Sequence, residues 1–568
     1  MVSLCALMGA DIVKEGMRNK LKYYFQVSFS SDLKAGFITA VVALPLAIAF
    51  AIASGVDPIM GLYTAIIAGF LGSLFGGSTY SITGPTGAMT VIILSAVNKF
   101  GVEGLLVAGF LAGVFQLLFG FAKLGRFVKF IPLPVVTGFT AGIGAIIFIG
   151  QIANSLGLSI ASHEHIWQTV IEIVKNFSTV NIVAMGVTIF TVLCLLFLPK
   201  ILQRIPYLKN LPASLFPLIL STLAVIIFAL TIPRVGVIPS GLPTVHMINI
   251  NLGLIRNVLP SAFTIALLGT IEALLCAVVC DGMTNTKHDS DKELKGQGIA
   301  NMVLPFFGAI PSTAAVARSA VNVREGAKTR FAGVIHALIL LLILLFFAPV
   351  AQYIPKAFLA GILMVVSIRM INFHEFITVF KISRLETIVL ITTFILTVLT
   401  DLVFAVEVGM ILAAASVLIR LMDIIDITHM KDFEEPTGAA FEFRNEKLKE
   451  VTNVYTLHGP FFFGAMSVFE KKLDEHIENK KPITILRFKY VPFVDSTAII
   501  RLVDFIKQKK KKGAVVYLAD LHPGVYKALH HNEEFRELVK KTEIFPKTKD
   551  VLAHIENNLH TILLDGKK

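Results

Sequence analysis

Runs of about 17–25 apolar residues, long enough to cross a bilayer as helices, recur through the first three quarters of this 568-residue chain. Nothing else in the sequence narrows the possible folds as much. Backbone surrounded by hydrocarbon must satisfy its own hydrogen bonds, which only helices and closed barrels do. The runs fall near 33–54, 60–76, 104–122, 131–156, 181–198, 213–231, 259–280, 294–309, 329–351, 357–371, 383–400 and 402–421. Two more segments, near 86–98 and 312–322, are apolar but short, and each begins just after a proline. Composition agrees, since only 16% of residues are charged, against about a quarter in soluble chains.

With the short pair included, fourteen crossings are expected, which puts both termini on one face. Lysine and arginine favour the cytoplasmic face. The loops at 123–129, 200–209, 287–295, 324–330 and 369–384 together carry fifteen of these residues, and the alternate loops carry five (Lys99, Lys175, Arg234, Arg256 and Lys356). Both termini are therefore expected to be cytoplasmic in a multi-pass protein of the cell membrane. The same distribution accounts for the net charge of +12 without nucleic acid as a partner. The charged stretch Asp11–Lys22, with no cleavage site after it, does not read as a signal peptide. Cys5, Cys194, Cys276 and Cys280 have no metal-site spacing with histidine, and Cys276 and Cys280, four apart in one span, read as small packing residues. No cofactor, metal cluster, nucleotide loop or nucleophile constellation is present in the sequence, so an enzyme is not expected.

After Arg420 the character of the chain changes. Strand-like runs at Val451–Leu457, Ile483–Phe488 and Ala514–Leu518 alternate with helical patterns at Met466–Ile477 and Thr497–Lys511. The expected organisation is an N-terminal segment over 1–31, a membrane domain over 32–422, a linker over 423–440 and a small α/β domain over 441–568. The Lys507–Lys512 run before Gly513 reads as a solvated helix C-terminus in preference to a lipid-binding patch.

The two short segments repeat each other. "FGGSTYSITGPTGAMT" (75–90) and "FFGAIPSTAAVA" (306–317) both run from aromatic and glycine through proline and a hydroxyl residue to small residues. Paired interrupted spans in two halves of a chain point to a transporter binding site. A half-helix that starts in mid-membrane exposes N–H groups lipid cannot satisfy, and its positive dipole end favours an anion. Gly87, Ala88, Ala314 and Ala315 are small enough to let a ligand reach the backbone.

These segments, with "DLKAGFITAVVALPLAIAFAIASGV" (32–56), "GPTGAMTVI" (84–92), "HDSDKELKGQGIAN" (288–301) and "IPSTAAVARSAVNVREGAKT" (310–329), resemble the sulfate permease family over nearly the whole chain. That resemblance implies an all-α membrane domain of fourteen segments in a seven-plus-seven inverted repeat, with core and gate domains and elevator-like movement. It also implies that the C-terminal α/β domain is a STAS domain and that the protein is a homodimer. Carried over by position, Phe50, Thr86 and Gly87 would border the substrate, and Thr313, Ala314 and Ala315 would present the second half-helix to it. Leu46 sits where some animal relatives have glutamine, which makes that wall more apolar here. "FVDSTAII" (493–500) matches the STAS strand-to-helix turn, with Ser496 after Asp495 as in phosphorylatable relatives, although aspartate and serine also cap helices without regulation.

Two charges stand out in the membrane part. Glu272 is the only charge between Arg256 and Asp281, and burying an ionised acid in mid-span costs about 2.5–3.5 kcal/mol on insertion scales. Protonation relieves that cost, so Glu272 is the candidate coupling site, for a proton ahead of sodium, with a structural acid bonded to neighbouring hydroxyls as the alternative. Arg318 follows Thr313 by about 7.5 Å of helix and either adds positive charge to the anion site or reaches to the inner surface. The function expected is secondary active transport of a small inorganic or organic anion of the sulfate, bicarbonate, chloride or dicarboxylate class. A sodium-coupled bicarbonate-type symporter and an exchanger or channel-like protein are the alternatives.

Overall fold

The computed structural model describes residues 26–126, 132–160, 166–202, 204, 212–239, 241, 243–245, 247, 251–400, 402–424, 426–429, 446–465 and 481–565. Cys5, the Asp11–Lys22 stretch and the helix expected at Met466–Ile477 lie outside these residues. The chain forms two compact units, Met1–Ala413 and Ala414–Lys568.

The first unit is helical. In chain order it holds α1 (Phe29–Ala53), α2 (Pro58–Phe75), the two-residue strand β1 (Thr83–Gly84), α3 (Gly87–Phe121), α4 (Leu133–Ser155), α5 (Ile166–Lys175), α6 (Ile182–Leu202) and α7 (Leu215–Ile227). Then follow α8 (Leu252–Thr284), α9 (Ser290–Val303), the two-residue strand β2 (Thr313–Ala314), α10 (Val316–Arg324), α11 (Phe331–Ala351), α12 (Lys356–Met370), α13 (Phe373–Ile382) and α14 (Arg384–Leu399). Helix α15 (Leu402–Asp423) runs on into the second unit. Among the described residues, nine helices are long and apolar enough to cross a membrane.

The departures from the apolar-run pattern have physical causes. The short run at 86–98 joins 104–122 through Gly101, whose φ of +70° breaks the helix, a conformation glycine adopts without a Cβ clash. Helices α5 and α13 were not foreshadowed by apolar runs. Each has ten residues, about 15 Å at helical rise, too short to span. The run at 294–309 is largely buried in protein. It becomes α9, a 14-residue helix whose Glu293, Gln297 and Asn301 are buried in protein at four-residue intervals. Because α9 is screened by α2 and α3, it need not be apolar. Its backbone approaches α3 closely, and a Cβ on Gly298 would stand 2.7 Å from the Leu117 nitrogen and 2.8 Å from the Gly113 oxygen.

The second unit is a five-stranded sheet in the order β3 (Asp426–His429), β4 (Thr452–His458), β5 (Ile483–Tyr490), β6 (Val515–Ala519), β7 (Ile544–Phe545). Strand β3 is antiparallel to β4 and the remaining pairs are parallel. β5 is buried on both faces, with Leu486 and Phe488 packed beside Leu502 and Ile506 on one side and Ile485 packed beside Val551 and Ile555 on the other. That double burial is the habit of parallel strands. Asp426–His429, expected in a linker, pairs instead along β4; four residues are too few to stand out as a strand by pattern. The lysine run ends the helix Ser496–Lys511 (α16), where Lys510 pairs with Glu543 at 2.8 Å and Gly513 takes a φ of +76°.

Gly298→Val should place branched carbons against the α3 backbone. Overpacking of this kind costs about 1–3 kcal/mol, so a lowered melting temperature of the detergent-solubilised protein is expected. Removing the residues after Asp432 should leave a folded membrane unit that still binds its anion, checked by size-exclusion profile and ligand-shifted melting.

Candidate functional site

Two chain crossovers meet inside the first unit. β1 and β2 pair antiparallel, with Thr83 opposite Ala314 and Gly84 opposite Thr313, and the Ala315 N–H donates to the Ile82 carbonyl at 2.9 Å. α3 and α10 leave from opposite ends of this short antiparallel pair, so two helix N-termini start from the same crossing. The polar stripe of α9 holds the crossovers in place. Glu293 Oε2 accepts from the N–H groups of Gly77 and Ser78 at 2.7 and 2.8 Å. Gln297 Nε2 donates to Thr83 Oγ1 at 2.9 Å. Asn301 Oδ1 accepts from Ser312 N at 2.8 Å while its Nδ2 donates to the Ser312 carbonyl at 2.9 Å. Ser319 Oγ accepts from Ile82 N at 2.8 Å and from Cys276 Sγ at 3.1 Å.

Thr86 is the residue before α3. Its Oγ1 accepts from Met89 N at 3.4 Å and its hydroxyl donates to Glu272 Oε2 at 2.8 Å. Glu272, in the middle of α8, is thus drawn to the start of the first half-helix, where the dipole favours negative charge. Gly87 comes next. A Cβ there would stand 3.1 Å from Met370 Sδ, 3.2 Å from Ile147 Cδ1 and 3.3 Å from Phe50 Cε1. Side chains from α1, α4 and α12 therefore converge on the beginning of α3, and a larger residue there would have to push them back by a few tenths of an ångström.

The second half-helix differs from expectation. Thr313 and Ala314 are fully buried in the strand pair, the Thr313 hydroxyl donates to the Gly269 carbonyl at 2.8 Å, and the Ala315 N–H is committed to Ile82. The donors a helix leaves free are those of its first turn, here Val316 and Ala317, both exposed. Thr313–Ala315 therefore form the hinge of the crossover, and the next two residues carry the open N–H groups.

Arg318 does not reach the inner surface. It is 1% exposed, its Nη2 donates to the Pro85 carbonyl at 2.7 Å, and its Nη1 would lie 2.7 Å from a Cβ on Gly84. A whole positive charge thus sits behind the strand pair, bolted to the loop that leads into Thr86. No ion pair joins it to Glu272 among the described residues, nor do these residues form any group of three or more His, Cys, Asp or Glu that could hold a metal. Cys276 and Cys280 are buried beside Ala314.

Residues 29–393 match the model of the Sulfate permease family and residues 445–551 that of the STAS domain. The chain belongs to the sulfate permease family. It is a multi-pass membrane transporter of anions, with a STAS domain at its C-terminal end. It is 39% identical to "Putative sulfate transporter YvdB" of Bacillus subtilis (strain 168), over 92% of this chain and 97% of that one. It is 32% identical to the bicarbonate transporter BicA of Synechocystis, over 91% and 92%. The transmembrane domain of a cyanobacterial BicA superposes with a TM-score of 0.60 at 34% identity, covering 68% of this chain and 97% of that one. The SLC26A9 structure shares the fold at a TM-score of 0.82 and 18% identity, over 95% and 92%.

In the STAS domain Asp495 caps α16, its Oδ1 accepting from Ala498 N at 2.8 Å and its Oδ2 from Phe463 N at 3.0 Å. Ser496, the first residue of that helix, is exposed.

Of the residues the sequence points to, the structure gathers Phe50 onto Gly87 and Glu272 onto Thr86. Sequence reasoning missed Glu293, Gln297, Asn301, Ile147 and Met370. The four-residue spacing of polar side chains within "KELKGQGIAN" (292–301) was the available signal for the first three. Thr86→Val should remove both the cap and the hydrogen bond to the acid. Bonds to charged groups contribute about 1.5–3 kcal/mol, so anion affinity is expected to fall at least tenfold, with Thr86→Ser close to the parent in binding titrations.

Proposed function

We propose that this transporter is a secondary active carrier that binds one small oxyanion between the starts of α3 and α10 and couples its passage to a proton on Glu272. What carries the reading is the bond from Thr86 to Glu272 at a half-helix N-terminus. One threonine is within reach of both the anion cradle and the only carboxylate on its span, so occupancy of one site alters the other. The N–H groups of Gly87, Ala88, Val316 and Ala317 supply neutral donors. Arg318, behind the strand pair, adds a fixed positive charge that a small anion feels through a poorly polarisable interior. Phe50, Ile147 and Met370 close the site on Gly87.

Around that site we place fourteen crossings in a seven-plus-seven inverted repeat, with both termini cytoplasmic, elevator-type movement of a core against a gate, and a homodimer as the assembly. The two proline-led half-helices and their mutual strand pairing support the repeat, and the lysine and arginine asymmetry of the loops supports the orientation. Sulfate and bicarbonate are the first substrates to test, because the relatives above are named for them. Ser496, exposed at a helix start beside an aspartate cap, is the regulatory phosphorylation site we would examine.

Glu272→Gln keeps the hydrogen-bonding shape and removes the titration. It should retain anion binding and anion-for-anion exchange in proteoliposomes while losing accumulation driven by a pH gradient. Gradient-driven uptake at the parent rate would refute proton coupling at this residue, and uptake that demands sodium would assign Glu272 and Thr86 to a cation instead.

A further inference from the structure

The two half-helix starts are not equally open. Val316 and Ala317 at the start of α10 are exposed, whereas Gly87, Ala88 and Met89 at the start of α3 are buried. The Met89 N–H is taken by Thr86 Oγ1 at 3.4 Å, so the donors an anion can use on α3 are those of Gly87 and Ala88. Gly87 lies under three side chains. Met370 Sδ, Ile147 Cδ1 and Phe50 Cε1 stand 3.1, 3.2 and 3.3 Å from the position of a Cβ there. An anion seats on this helix start only after one of the three has moved.

They differ in how readily they yield. Phe50 lies within α1 and is 5% exposed, and Ile147 lies within α4 and is 4% exposed, with a branched Cβ that restricts its rotamers. Met370 is half-buried and is the last residue of α12. Its side chain is unbranched, with three rotatable bonds. The backbone beneath it is held: a Cβ on Gly144 would stand 2.7 Å from the Ser367 oxygen, 3.0 Å from Ile371 Cγ1 and 3.4 Å from Met370 Cβ. α4 and α12 are thus pressed together about one turn before Ile147, and the thioether is the part of the cover that can swing.

We propose that Met370 sets the affinity of the transporter, as a side chain that occupies the start of α3 in place of the anion and leaves when one binds. Anion and thioether then compete for the same helix start. The apparent dissociation constant exceeds the intrinsic one by the inverse of the fraction of molecules in which the side chain has swung away. The inference rests on the anion seating at the start of α3, as proposed above.

Isothermal titration of the detergent-solubilised full-length protein with sulfate, and separately with bicarbonate, tests it. Met370→Ala should bind at least threefold more tightly than the parent, while Met370→Leu, of similar volume, stays within twofold. Should Met370→Ala melt before titration, Met370→Val shortens the side chain and carries the same expected sign. A methionine that only packs predicts the opposite, weaker binding on truncation. That result, or affinity unchanged by truncation, would overturn the inference. Thr86→Val separates it from the reading beneath. If that variant loses binding while Met370→Ala gains none, the site stands and the competing cover falls. If Thr86→Val binds like the parent, or no form of the protein binds either anion, both fall.

Discussion

Everything in the membrane unit depends on how two stretches of non-helical backbone are satisfied away from water. Each crossover leaves N–H and C=O groups that lipid cannot bond. The chain satisfies them with each other, through the two-residue pairing of β1 and β2, and with the polar stripe of α9, where Glu293, Gln297 and Asn301 reach Gly77, Ser78, Thr83 and Ser312. That arrangement explains why a helix with a buried carboxylate and two buried amides can stand inside a membrane protein. It also explains why α9 must be pressed against α3 at Gly113 and Gly298. A stripe that bonds backbone at both crossovers fixes the helix starts in position, and a fixed pair of helix starts is what an anion site needs.

Charge follows the same geometry. Glu272 lies beside one half-helix start and Arg318 behind the strand pair, with the Thr86 hydroxyl and the Pro85 carbonyl as their contacts. Were the two charges in contact, they would neutralise each other and leave little for a ligand. They are instead held by consecutive residues of one loop, Arg318 by the Pro85 carbonyl and Glu272 by the Thr86 hydroxyl. The carboxylate can change its charge by taking up a proton, and the guanidinium keeps its own.

The sequence was most legible where local pattern and global environment ask for the same residues. Apolar runs marked most of the longer helices of the membrane unit, and alternating strand and helix patterns marked β4, β5, β6 and α16. It was least legible where tertiary contact replaced lipid or length. The apolar run at 294–309 gave no sign that Glu293, Gln297 and Asn301 are buried against neighbouring helices and crossovers. Asp426–His429 lies in the expected linker, because four residues carry too little pattern to reveal a strand whose partners, Tyr455–His458, come later in the chain.

Composition, spacing and motif alone determined the membrane class, the duplicated proline-led half-helices, the acid in mid-span and the soluble domain beyond Arg420, because each is a property of a short stretch of chain read against a solvent. Only the tertiary structure decided that Thr313–Ala315 serve the crossover while Val316 and Ala317 keep open donors, that Arg318 is buried against Pro85, and that Phe50, Ile147 and Met370 meet at Gly87. Those facts relate residues tens to hundreds of positions apart. Side-chain direction and the partner of each hydrogen bond are set by packing between helices, which no local run of sequence contains.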